Sequence, residues 1–153
     1  MRTGILAGAA AGAAGTAALN AVTYLDMAVR GRAGSRTPEQ TVEALEEHLP
    51  VSVPGEGETR EHRLTGLASL SGIVTGVGLG VTFGLLRRAG VRPPAPLGAA
   101  LIGVTAMAST NLSMAALEVS DPRTWSATDW LADAVPHLLY GVVTDAVLRS
   151  LHR

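Results

Sequence analysis

At 153 residues the chain holds one domain at most, and its 16% charged and 3% aromatic residues, with a mean hydropathy of +0.29, suit helices packed on helices better than a water-soluble globule with a bulky core. A net charge of −1 excludes the basic excess of a nucleic-acid binder, and the lack of cysteine excludes disulfides, thiolate metal sites and cysteine nucleophiles. Every Lys/Arg position is Arg, and the charges cluster between long uncharged runs, which is the layout of membrane spans and loops.

The first run, from Thr3, is rich in Ala and Gly and gives way to Asp26, Arg30, Arg32 and Arg36; it reads as a span over about 3–29. Arg2 followed by small apolar residues also fits a secretory signal peptide, but the run is long and further spans follow it. Thr37-Pro38-Glu39-Gln40 reads as a capping box with Pro at the first helical position, opening a short helix over about 38–48. Val42, Leu45 and Leu49 give that helix an apolar stripe, so it is expected to lie on the protein or the membrane surface rather than to hold a ligand with its glutamates. Residues 50–57 read as a loop.

Leu64 to Leu86 carries no Asp, Glu or Arg and would extend roughly 34 Å as a helix, enough to cross a bilayer; this span is set at about 62–88. The third span, about 96–118, follows the prolines at 93, 94 and 96, which a helix tolerates at its start. Ser126-Ala127-Thr128-Asp129 is a second box-like start, leading into a last span over about 129–150 that contains Asp133, His137 and Asp145. A soluble bundle would need a charged face on each helix, which two of these segments lack. The expected fold is therefore all-α: an integral membrane four-helix bundle built from two similar helix pairs. Trp125, Trp130 and Arg123 are expected at one membrane interface.

Six arginines fall on each side of the four spans, a tie by the positive-inside count. The connection from Arg87 to Arg92 is short and wholly basic, whereas the opposite side carries nearly all the acids, which favours both termini in the cytoplasm.

Gly4, Gly8 and Gly12 recur every four residues in the first span, as do Gly72, Gly76, Gly80 and Gly84 in the second. Residues four apart share a helix face, so each ladder opens a groove where another backbone comes close, either within the chain or from a second copy. The chain also resembles itself: Leu70-Ser71-Gly72-Ile73-Val74-Thr75 matches Leu139-Tyr140-Gly141-Val142-Val143-Thr144, and Gly12 with Asn20 echoes Gly103 with Asn111. Such halves would relate by an axis along the membrane normal.

Polar groups inside the membrane are costly and are candidate sites by default. Asp129, Asp133, His137, Tyr140 and Thr144 share one face of the last span, with Asp145 at its edge; Asn111 and Glu118 share a face of the third; Asn20, Thr23 and Asp26 lie near the same end of the first. Most of these fit interhelical hydrogen bonds or helix caps. His137 stands out because it follows Pro136, whose missing N–H frees a carbonyl one turn earlier, and because Asp133 is placed to orient the imidazole. No second His shares that face, so no metal site is expected, and no nucleophile elbow, P-loop or zinc-protease motif is present.

From Leu97 to Arg153 the chain resembles the YagU-type family of small bacterial inner-membrane proteins, in its Gly/Ala-rich span, its Asp121-Pro122-Arg123-Thr124-Trp125 connection and a final helix with His137 followed by Tyr140. The resemblance implies the bacterial cytoplasmic (inner) membrane and a role in envelope or acid stress, with no mechanism or site attached. It does not extend to the glycine ladder of the second span or to the acidic helix. The expected function is that of a non-enzymatic membrane protein acting through helix packing and partner contacts, without cofactor; its partners would be lipids and a second copy or another membrane protein, not nucleic acid. Its rivals are a proton or ion conductor using the polar face of the last span, and a lipid- or quinone-handling enzyme using His137 and Tyr140 in acid–base chemistry.

Overall fold

The computed structural model describes residues 2–151, with side chains from Gly4 onward. Arg153 and the side chain of Arg2, both counted among the termini-side arginines, lie outside the described residues. The described residues form helices α1 (Arg2–Arg30), α2 (Thr37–His48), α3 (Gly57–Arg88), α4 (Ala95–Ala116) and α5 (Ala127–Leu151), with one 3-10 turn at Pro122–Thr124. All but α2 are long and apolar enough to cross a membrane.

Helix α3 starts five residues before the expected 62, because α2 lies along its polar first turns. Arg60 there bridges Glu43 at 2.8 Å and Glu46 at 2.5 Å, and Thr65 Oγ1 donates to Glu39 Oε1 at 3.2 Å. The expected capping box at Thr37 does not form. Arg36 occupies the cap position without a side-chain bond, and Thr37 is already helical, its hydroxyl 2.7 Å from that of Ser35. The Ser126–Asp129 box does form: Ser126 N–H donates to Asp129 Oδ2 at 2.9 Å and Asp129 N–H to Ser126 Oγ at 3.2 Å.

Three of the long helices stop in the same way, with a left-handed residue just past the end and a bond running back over it. Gly31 with Arg32 N–H to Met27 O ends α1, and Gly90 with Val91 N–H to Leu86 O ends α3. At α4 the left-handed position is Glu118, at φ 56°, with Val119 N–H on Met114 O. Glu118 is thus not on a face of the third span with Asn111, as the spacing suggested; it is exposed beyond the helix end.

Helix α1 packs extensively on both α3 and α5, α5 packs on α4, and α3 barely touches α4. The packing order is therefore α3, α1, α5, α4, with neighbours antiparallel and the ring closed only loosely where α4 meets α3. In the α1–α3 crossing a Cβ added at Gly8 would lie 2.6 Å from Gly80 O, one at Gly12 2.5 Å from Gly76 O, and one at Gly84 2.7 Å from Gly4 O. Only glycine permits that approach. Gly72 is a correction to the expected ladder: it is exposed, and a Cβ there meets nothing within 4 Å.

The α4–α5 crossing repeats this contact. A Cβ on Gly80 would meet Gly12 N and Cα at 2.5 Å, and one on Gly141 would meet Gly103 N at 2.6 Å and Cα at 2.9 Å. Gly12 and Gly103 hold matching places, but Gly80 rather than Gly72 stands where Gly141 does, so the hexapeptide match is out of register by eight residues.

Candidate functional site: the polar seam of the last helix

The polar residues of α5 divide among different neighbours. Near the acidic end, Asp133 Oδ2 accepts from Asn111 Nδ2 of α4 at 2.8 Å. One turn on, His137 Nδ1 lies 2.8 Å from Asp133 O and 3.2 Å from Asp133 Oδ1. An Nδ1–H shared between the carbonyl and the carboxylate fixes the ring and leaves Nε2 as the second functional nitrogen. Asn111 is 6% exposed, and its Oδ1 is buried without a partner.

Midway, Tyr140 is 1% exposed and its hydroxyl donates to Gly76 O of α3 at 2.6 Å. The ring rests on α1, where a Cβ at Gly15 would come 2.7 Å from Tyr140 Cδ2. Thr144, fully buried, donates to Ala11 O of α1 at 3.4 Å. Tyr140 and Thr144 therefore join three helices, and Gly15 makes the room. Gly15 stands off the four-residue ladder, three residues after Gly12.

Toward the other end, Asp145 is no edge residue. It is 5% exposed, bonded by Arg149 Nε at 2.5 Å, with Arg87 Nη1 4.0 Å away. Arg149 also donates to Pro93 O at 2.7 Å, tying α5 to the loop between α3 and α4. Gly98 lies beneath this group: a Cβ there would stand 2.7 Å from Asp145 Oδ1. Arg149 lies one turn from Asp145 on the same helix, whereas Arg87 reaches it from far away in the chain.

The remaining candidates fall outside the seam. Asn20 is half-buried on α1, and Asp26 in its last turns pairs with Arg30 at 3.6 Å and, just beyond the helix end, with Arg32 at 2.6 Å. Asp129 serves in the Ser126 box. Glu118 lines an open hollow of about 560 Å³ between α2 and the end of α4, with Glu43, Glu47 and His48. In the α4–α5 connection Trp125 and Trp130 stack edge to face at 5.1 Å, and Trp125 donates to Ser120 Oγ at 3.0 Å. Hydrogen bonds from Arg123, side chain first and main chain second, hold the Asp121 carboxyl below the usual carboxylate range. Among the described residues no three His, Asp or Glu side chains converge as a metal-ligand set.

No family model, no curated protein and no solved structure matches this chain.

Proposed function

We propose that the chain is a multi-pass protein of a bacterial cytoplasmic membrane, with both termini in the cytoplasm, that acts without catalysis by presenting fastened helix pairs to lipid and to partner proteins. The membrane reading is supported by its surface. Leu6, Val74 and Leu112 are each 69% exposed on the long helices, while charges gather at helix ends and in loops. In water such faces would aggregate, whereas in hydrocarbon they need no cover. The matching glycine contacts of α1–α3 and α4–α5 support two similar helix pairs.

The observation that carries the non-catalytic reading is the division of the α5 polar face. Asp133, Tyr140 and Thr144 each bond a different neighbouring helix, so the face works as a set of interhelical fasteners. The test is a proton-flux assay on liposomes under a pH gradient, comparing wild type with His137→Gln, which keeps hydrogen bonding but does not titrate near neutrality. Equal, negligible leaks are expected. A wild-type leak abolished by the substitution would replace this reading with conduction, for which the unpartnered Asn111 Oδ1 beside Asp133 and His137 is the favouring observation.

A further inference from the structure

The α5 fasteners leave one cationic group unexplained, at the end of the molecule where α3 turns into α4. Between residues 69 and 110, and again from 134 to the C-terminus, the only acidic residue is Asp145. Against it stand Arg87, Arg88, Arg92, Arg149 and Arg153. Arg149 takes Asp145 at 2.5 Å, leaving Arg87 a 4.0 Å approach to the same carboxylate. The Arg87 side chain is 13% exposed, and its Nε–H is buried without an acceptor. A guanidinium has five N–H donors in a flat fork that matches phosphate oxygens, and a buried donor without a partner is costly. Arg92, on the exposed loop, reaches back to within 3.5 Å of Arg87 O.

Arg87 also lines a small apolar notch of about 40 Å³, together with Phe83, Leu86, Val91, Leu101 and Leu148. The notch lies between α3 and α4, the long neighbours in sequence that barely touch, with the buried Ile102 and Leu148 at its floor. Leu86, Val91 and Leu101 at its edge are 41%, 53% and 46% exposed. An excess of guanidinium over carboxylate and an apolar cleft thus adjoin at the level of the helix ends, where lipid phosphates lie.

We propose that this notch is a binding site for an anionic phospholipid, its phosphate taken by Arg87 with Arg92 and its acyl chain running down the α3–α4 cleft. The proposal rests on the membrane reading, which is checked first and separately by alkaline carbonate extraction of membranes carrying the full chain. Release into the supernatant would fail that reading itself, whereas retention lets the lipid test stand alone.

For the lipid test, the full-length protein in mild detergent is mixed with equal amounts of palmitoyl-oleoyl phosphatidylglycerol and phosphatidylcholine, and bound lipid is read by native mass spectrometry. Retention of phosphatidylglycerol about tenfold above phosphatidylcholine is expected, at the scale of one to two arginine–phosphate contacts. Arg87→Gln should remove most of that preference and Arg92→Gln part of it. Arg36→Gln, the same charge loss at the opposite end, should leave it unchanged. Circular dichroism shows that each variant keeps its helix content, and if Arg87→Gln does not, Arg92→Gln decides. Equal retention of the two lipids, or an equal loss of preference in Arg36→Gln, would overturn the site. Displacement of the lipid by millimolar inorganic phosphate would overturn the lipid as occupant and mark a free-anion site instead.

Discussion

Pair α1–α3 and pair α4–α5 reach the same backbone-on-backbone approach with different supplies of glycine. In the first pair the glycines run from Gly4 with Gly84 to Gly12 with Gly76, so main chain meets main chain over several turns. In the second the contact narrows to Gly103 with Gly141, and polar ties carry the rest: Asn111 to Asp133 at one end, and Arg149 to Pro93 O, just ahead of α4, at the other. Dispersion over a long glycine face and a few directed hydrogen bonds are thus alternative ways to hold two helices where no hydrophobic force drives them together. The first pair is expected to be sensitive to added volume, the second to lost donors and acceptors.

The largest effect should come from Gly80→Leu. Its Cβ would fall 2.5 Å from Gly12 Cα, against backbone that has no rotamer to change, so α1 and α3 must separate at a cost of about 3 kcal/mol. Thermal or denaturant unfolding in detergent measures it. A loss under about 1 kcal/mol would break the comparison at its first term.

Next is Asn111→Ala, which strips Asp133 of its α4 partner and should cost about 1–3 kcal/mol. A double-mutant cycle with Asp133→Ala sharpens this: a coupling of about 0.6 kcal/mol is ordinary for interhelical bonds in membranes, and zero would mean that the tie is incidental. Tyr140→Phe, which removes only the hydroxyl on Gly76 O, should destabilise by about 0.5–1 kcal/mol while keeping the ring seated against Gly15.

Gly72→Ala should reverse the sign. With open space around it, the added methyl improves helix propensity by about 0.5–1 kcal/mol and raises the unfolding temperature, which distinguishes a rung of the ladder from a bystander with the same spacing. The smallest effect belongs to the connection between α4 and α5. Since Arg123 lowers the Asp121 pKa, their bond contributes above the ordinary value of about 3.9 and is lost as pH falls through the lowered one. Fluorescence of the nearby Trp125 should change over that acid range, and the change should be absent in Asp121→Asn.

The four long helices were legible because hydrophobic length and the exclusion of charge are local signals. So was the reciprocal box of Ser126 and Asp129, whose partners lie three residues apart. Thr37 offered the same pattern, but a second hydroxyl at Ser35 competed for it, and pattern alone does not rank such competitors. The ladder spacing located Gly76, Gly80 and Gly84 but also admitted Gly72, since periodicity states which face a residue occupies and not which residues a neighbour covers. Gly15, Gly98 and the approach of Arg87 to Asp145 were hidden for the complementary reason. Each has meaning only through residues from another helix, and nothing in their own surroundings announces the pairing.

The bond from Thr144 to Ala11 spans 133 residues, so the seam between α1 and α5 closes only after the four elements between Ala11 and α5 have been made. During synthesis the α1–α3 hairpin has all its glycine contacts early, while the face of α1 bearing Ala11 and Gly15 waits for α5. A chain truncated before Tyr140 would carry that bare small-residue face into the membrane, open to another helix able to come as close. The late arrival of α5 thus makes its docking the step that removes an unpaired docking face from the nascent protein.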